Sequence, residues 1–369
     1  MPVLYLFVSA AVTAEPVAKE SRNQSWHSEY FLDAWIDYYS FRETHDIKPE
    51  TEDNYLRARV RIGTKLTFSN RWQAQARIAG RYHNQMAKHT FSIQPYATSP
   101  TGMAWGHTTV DTFSATYASA DAWRLTLGRF QTSHGLKGVL KKSLDRADGR
   151  PKVSWTDGAS LWIDINEGWR SRFIVEYNSA EGPSNVKRRP LNADNWSLFS
   201  SIEAKSNWGP IVQRALDITY IPQASENSPG DKNGIAEDYI ALVARMAAQW
   251  SVGDSGQTIL LGAEIGYTPG LTGSAIDSRD ISERGQGKII SVSVNNILPS
   301  QSVGVSWGRA NNSWLISPDL APDEDFLEFR YRWQLSKKMA WEFDIKRRRD
   351  LTDDASQKNS MWLRYRVSF

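Results

Sequence analysis

The feature that most constrains this chain is an alternation of period two that recurs from about residue 30 to the C-terminus. Leu56, Ala58, Val60, Ile62, Thr64 and Leu66 alternate with Arg57, Arg59, Arg61, Gly63 and Lys65. One face of an extended segment is then apolar and the other cationic. The same reading fits Ile240, Leu242, Ala244, Met246 and Ala248 against Tyr239, Arg245 and Gln249. It fits again for Leu327, Phe329, Tyr331, Trp333 and Leu335 against Glu328, Arg330, Arg332 and Gln334. The fold class is therefore all-β. Alternation alone leaves the inside-out question open, because a soluble barrel hides its apolar face and a membrane barrel turns it to lipid.

The connections separate the two. Short ones fall near 68–71, 118–122, 166–168, 206–209, 251–256, 297–300 and 335–338. Long polar ones fall near 41–54, 84–108, 131–157, 181–193, 223–236, 269–286, 311–323 and 350–358. Strict interleaving of short and long predicts a transmembrane antiparallel β-barrel of about sixteen strands, with short periplasmic turns and long extracellular loops. Soluble sandwiches have no reason to sort loop length by end. Trp72, Trp123, Trp169, Trp250, Trp333 and Trp341 lie beside short turns, and Tyr38, Tyr82, Tyr177, Tyr220 and Tyr267 lie where strands enter long loops. Two interfacial aromatic girdles follow from that placement.

Composition agrees. The 369 residues include no cysteine, which removes disulfides and thiolate metal sites, and 16 Trp, 14 Tyr and 13 Phe. No apolar run is long enough for a membrane-spanning helix. A mean hydropathy of -0.51 decides nothing, since barrels with one water-facing side look polar on average. Val3 to Ala14 is a short apolar stretch ending in small residues before Glu15. It reads as an export signal over 1–14, although the usual basic residues before it are missing. A periplasmic segment over 15–29 and a barrel over 30–369 are expected.

The chain ends with Met361, Leu363, Tyr365, Val367 and Phe369 alternating with Trp362, Arg364, Arg366 and Ser368. This resembles the C-terminal signal of bacterial outer-membrane proteins, with Phe369 last and Tyr365 four residues before it. The resemblance implies an outer-membrane location and marks Tyr365, Val367 and Phe369 as an assembly signal, read by barrel assembly machinery through strand addition. A second segment, Leu127-Gly128-Arg129-Phe130-Gln131-Thr132 continuing to Gly135-Leu136-Lys137-Gly138, is similar to phosphate-selective and related specific porins of Gram-negative bacteria. That resemblance implies sixteen strands and a third loop bent into a channel. Ser133-His134 stand where such porins often carry Pro-Phe, which leaves the subfamily and the solute open.

If apolar positions face lipid, Arg57, Arg59, Arg61, Lys65, Arg77, Arg81, Arg330, Arg332, Arg364 and Arg366 face the lumen. Barrel closure sets the last strand beside the first, so Arg364 and Arg366 join the arginines of residues 57–77 on one wall. Such a wall favours anions. The alternative is a cross-strand ladder in which the arginines pair with Asp33 and Asp37, and the two readings are compatible. Lys137, Lys141 and Lys142 in the third loop are the expected constriction residues.

No catalytic residues, metal or cofactor are expected: the six histidines fall mainly in loops, and metal-ligand spacings are absent. The expected function is a passive channel for small anionic or polar solutes. Alternatives are a structural barrel that sheathes a partner and an outer-membrane enzyme. Outer-membrane lipid and lipopolysaccharide are the expected partners, and the choice between a homotrimer and a monomer is open. The run Lys346-Arg347-Arg348-Arg349, where a strand enters a loop, points to lipopolysaccharide phosphates or to no specific ligand, and not to nucleic acid.

Overall fold

The computed structural model describes residues 26–46, 48–68, 71–85, 93, 103–119, 122–148, 153–178, 195–224, 238–253, 256–269, 275–276, 279–280, 284–352 and 356–369. The expected leader, residues 1–14, and most of the 15–29 segment lie outside these. In chain order the strands are β1 (His27–His45), β2 (Thr51–Thr67), β3 (Trp72–His83), β4 (His107–Ala118) and β5 (Trp123–Phe130). The short pieces β6 (Ser133–His134) and β7 (Arg146–Ala147) follow, then β8 (Thr156–Asp164), β9 (Trp169–Asn178), β10 (Asn195–Ala204), β11 (Ile211–Ile221), β12 (Tyr239–Val252) and β13 (Gln257–Thr268). After β14 (Ala275–Ile276) and β15 (Arg279–Asp280) come β16 (Gly285–Asn295), β17 (Gln301–Ala310), β18 (Glu324–Gln334), β19 (Met339–Asp350) and β20 (Ser356–Ser368). Among the described residues, sixteen of these close into one antiparallel barrel in sequence order, while β6–β7 and β14–β15 form separate two-stranded ribbons.

The alternation now has a direction. Ile36, Leu56, Ile62, Phe113, Ile265, Leu327, Ile345 and Leu363 are exposed, whereas Asp37, Arg59, Arg61, Glu264, Glu328 and Arg364 are buried. A water-soluble protein does the reverse, so the apolar face is the outer, lipid-facing one. Each strand's register is fixed by this pattern, since a slip of one residue would turn every arginine to lipid. Trp72, Trp123, Trp169, Trp250, Trp333 and Trp341 are all exposed beside short turns. Tyr38, Tyr177 and Tyr267 are exposed at the other end.

Two loops are shorter than expected. The 41–54 connection shrinks because β1 runs on to His45 and β2 starts at Thr51, and the 350–358 connection shrinks because β20 starts at Ser356. Polar composition hid these strand ends, which cross-strand charges hold: Lys358 reaches Glu43 at 2.8 Å, and Arg42 pairs with Glu50. β1 also begins at His27, inside the segment expected to precede the barrel.

Closure is made by β1 and β20, paired from Asp33↔Ser368 to His45↔Ser356. Phe369 completes it: its N–H donates to the Leu32 carbonyl at 2.8 Å, and the Leu32 N–H donates to the Phe369 carbonyl at 3.0 Å. The exposed Phe369 ring carries the Lys338 ammonium 4.8 Å from its centroid. Deleting Phe369 removes both backbone bonds at the seam, and the heat-modifiable barrel recovered from outer membranes is expected to fall severalfold on semi-native gels. Wild-type recovery would mean that the C-terminal strand assembles without its last residue.

Candidate functional site: an arginine wall facing an internal plug

The inner faces of β20, β1, β2, β3 and β4 carry alternating cations and anions whose positions follow from register. Asp37 stands opposite Arg57 on one side and Arg364 on the other. It holds both, with Arg57 Nε at 2.8 Å and Arg364 Nη2 at 2.6 Å. Asp33 takes Arg59 Nη2 at 2.7 Å and Arg366 Nη2 at 3.0 Å. A third carboxylate, Asp111, takes Arg61 Nε at 3.0 Å and Arg77 Nε at 2.8 Å. Each aspartate thus serves two arginines.

Asp111 was missed by sequence reading, and a β-bulge explains why. Arg77 pairs with Thr112 and Ile78 with Val110, so Asp111 is an extra residue in β4. Asp111 and Thr112 are both buried. The available signal was the spacing of Val110 and Phe113, apolar positions three apart where period two demands two or four.

Ring stacking holds the guanidiniums. Arg364 lies between Trp35 and Trp362, 4.2 and 4.1 Å from their centroids, and Arg57 lies 3.8 Å over Tyr39. Arg81 lies 3.9 Å over Trp105 and donates to the Met103 carbonyl. It sits directly opposite Arg59 across β2 and β3, a like-charge pair that costs energy without a counter-anion. Among the described residues, Arg61 Nη2 and Arg81 Nε are buried without a hydrogen-bond partner. Arg57, Arg59, Arg61, Arg77, Arg81, Arg364 and Arg366 therefore face three aspartates, leaving four positive charges on this arc.

Other expected lumen residues lie elsewhere. Arg330 is matched by Glu328 at 2.8 Å and Asp344 at 3.0 Å. Arg332, closer to the short turns, has Glu342 at 3.8 Å, and Lys65 has Glu29 at 3.8 Å with both well exposed.

Residues 131–148 of the third loop pack as a plug against inner-face residues of the barrel. Leu136, Leu140 and Leu144 are buried against a wall of small residues: a Cβ on Gly262 would come within 3.0 Å of Leu136, and one on Gly304 within 2.5 Å of Leu140. Arg245 joins the loop to the wall, binding Asp145 at 3.3 Å and Asp217 at 2.9 Å, with Glu264 also paired to it. Arg146 bonds Glu176 in bidentate fashion at 2.5 and 3.1 Å.

Residues 311–323, expected as a surface loop, join this plug. Trp314, Leu315 and Ile316 are fully buried, and the Trp314 indole donates to the Leu144 carbonyl at 3.1 Å. The Trp-Leu-Ile run inside a polar connection was the readable sign.

Of the expected constriction lysines, Lys137 is exposed and its ammonium donates to the Val212 carbonyl at 2.5 Å. Lys141 is exposed, with a φ of 50°. Lys142 is buried between Asp319 at 3.2 Å and Glu328 at 2.6 Å. It locks the plug. His134, beside Ser133, is also buried, with Nε2 2.9 Å from Arg172 and its ring tilted against Phe199 at 4.6 Å between centroids. Burial, then Arg172, holds its pKa well below the ordinary value. It is a neutral packing residue. Among the described residues no cluster has the makings of a metal site.

The Lys142–Asp319 latch has a definite pH window. Burial opposes the charge on Lys142, but Asp319 and Glu328 outweigh it and raise its pKa. Burial likewise opposes the Asp319 carboxylate, and Lys142 and Lys346 outweigh it and lower its pKa. A raised lysine stabilises below about pH 10 and is lost above; a lowered carboxylate stabilises above about pH 4 and is lost below. Single-channel conductance is expected to hold at neutral pH and to become noisy when the pH falls below the ordinary carboxylate range and Asp319 is protonated. Lys142→Met should bring that noise to neutral pH, and a quiet variant there would show that the plug does not depend on the latch.

No protein-family model matches the sequence, and no curated protein matches it. Solved structures do. OprB of Pseudomonas putida superposes with a TM-score of 0.65 at 11% identity, covering 93% of this chain and 94% of that one. OmpF of Salmonella typhi, solved with daunomycin, gives 0.55 at 8%, covering 92% and 97%. An anion-selective porin from Comamonas acidovorans gives 0.54 at 10%, covering 93% and 100%. At such identities the likeness is one of fold. The chain has the sixteen-stranded barrel of outer-membrane porins, and its lipid-facing belt fits the bacterial outer membrane.

Proposed function

We propose that this chain is a passive diffusion channel for small hydrophilic solutes with a preference for anions. The observation that carries the reading is the excess of arginine on one arc of the lumen. The plug contacts β8, β9 and β10 through Arg146 and His134, and β11, β12, β13, β16, β17 and β18 through Lys137, Arg245, Leu136, Leu144, Leu140 and Lys142. Val153 and Trp155 of the third loop also cluster with Ala79 of β3, so the passage is left to the arc beside β20, β1 and β2. A charge there acts over ~8 Å at physiological ionic strength, so a solute in a crescent-shaped channel stays within reach of the guanidiniums.

A salt gradient across a planar bilayer holding the purified chain tests this. The reversal potential should have the sign of anion permeation, and raising the ionic strength should weaken it. Cation permeation would overturn the preference. A folded barrel without conductance would overturn the channel itself and favour a barrel that sheathes a partner.

A further inference from the structure

The run Lys346 to Arg349 is divided by the pleat. Lys346 and Arg348 point inward, to Glu328 at 3.2 Å and to Glu324. Arg347 and Arg349 are exposed on the outer face. Register continues this outer face across neighbouring strands: Arg349 stands opposite Asp325, Asp325 opposite Arg309, and Arg309 opposite Lys288. Asp325 is taken by Arg349 at 2.6 Å. Lys288, Arg309 and Arg347 are exposed and make no ion pair among the described residues. Lys288 and Arg309 are direct cross-strand neighbours of like charge, an arrangement that is unfavourable unless an anion lies over it.

Height decides what that anion is attached to. Lys288 is eight residues from Asn296 at its short turn, Arg309 nine from Ser300, and Arg347 nine from Lys338. At ~3.3 Å per residue and a strand tilt of about 45°, all three lie about 20 Å above the short turns, near the top of an apolar band ~25 Å tall. Below them on the outer face Ile290, Val305 and Ile345 are exposed, and Trp307, next below Arg309, has the Lys288 ammonium 5.3 Å from its ring centroid. Long cationic side chains at that edge extend their heads into the headgroup layer.

We propose that Lys288, Arg309 and Arg347 form a docking patch for the phosphate groups of the outer-leaflet glycolipid, lipopolysaccharide, whose acyl chains lie on Ile290, Val305 and Ile345. Charge complementarity and the apolar surface beneath select a phosphorylated lipid over a free ion. The patch rests on the reading that the long connections face the cell surface, and it is independent of the anion preference of the pore.

The test uses the full refolded chain in detergent, purified lipopolysaccharide and native mass spectrometry of the complexes. Lys288→Gln, Arg309→Gln and Arg347→Gln together should weaken binding about a hundredfold, at roughly a kcal/mol per cation near an anionic surface. Dephosphorylated lipopolysaccharide should bind the wild-type chain as weakly, and excess inorganic phosphate should not displace the intact lipid. Heat-modifiability and conductance of the triple variant should match wild type, which separates this result from any failure of the pore reading. Equal binding by variant and wild type, or by intact and dephosphorylated lipid, overturns the proposal, and displacement by inorganic phosphate reduces the patch to a free-ion site.

Discussion

Replacing Arg59, Arg61 and Arg77 by Ser is expected to move the reversal potential toward cations. Seven arginines facing three aspartates become four facing three. A change of only ~1.4 kcal/mol in the local potential, well within what three charges exert at a few ångströms, is a tenfold change in the anion-to-cation ratio. The triple variant has a side effect that the geometry foretells. Asp111 is fully buried and loses both arginines, keeping the Gln131 amide at 3.2 Å, at a cost of about 3–5 kcal/mol. Its heat-modification midpoint should therefore fall. Adding Asp111→Asn removes the stranded charge and should restore the midpoint while the selectivity stays shifted, because the wall still has fewer positive charges than wild type. Asp33→Asn alone should shift selectivity the other way, since it frees Arg59 and Arg366. Unchanged selectivity in the quadruple variant would make the wall a structural ladder only.

The barrel was legible in the sequence because period two and sorted loop lengths are properties of local chain order. Asp33 and Asp37 could be named as partners of the wall for the same reason, lying on the strand between β2 and β20. Asp111 could not be reached by counting along strict alternation, because a bulge breaks it. Lys142 was read as a pore-facing cation because its sequence neighbours are basic. Its partners Asp319 and Glu328 are nearly two hundred residues away in sequence, roughly the span over which only the closed fold brings groups together. The inward turn of 311–323 depended likewise on glycines at 266 and 287, on other strands, that make room for Trp314.

The plug itself yields the second large effect, an increase in conductance when Arg245 is replaced by Met. Arg245 is the cation shared by Asp145 on the third loop, Asp217 on β11 and Glu264 on β13. All four side chains are buried, and removing the arginine leaves three carboxylates facing one another without a counter-charge. Breaking such a cluster costs about 3–5 kcal/mol, and the loop can relieve that cost by withdrawing Asp145, whereas the strands carrying Asp217 and Glu264 are held by their ladders. The apolar contacts of Leu136 and Leu144 resist withdrawal, so the plug should alternate between seated and unseated states. Single channels should show steps to a conductance severalfold above wild type, with weaker anion preference in the larger state because solutes then pass beyond the ~8 Å reach of the arginines. Trp314→Ala, which empties the pocket between Gly266 and Gly287 at a cost of about 3–5 kcal/mol, should give the same steps by a different route. The heat-modification midpoint should fall less in both than in the arginine triple variant, because an unseated loop relieves the cost, whereas the strand holding Asp111 cannot withdraw it. Wild-type conductance without steps in both variants would show that the plug is held by the rest of its contacts and does not set the size of the pore.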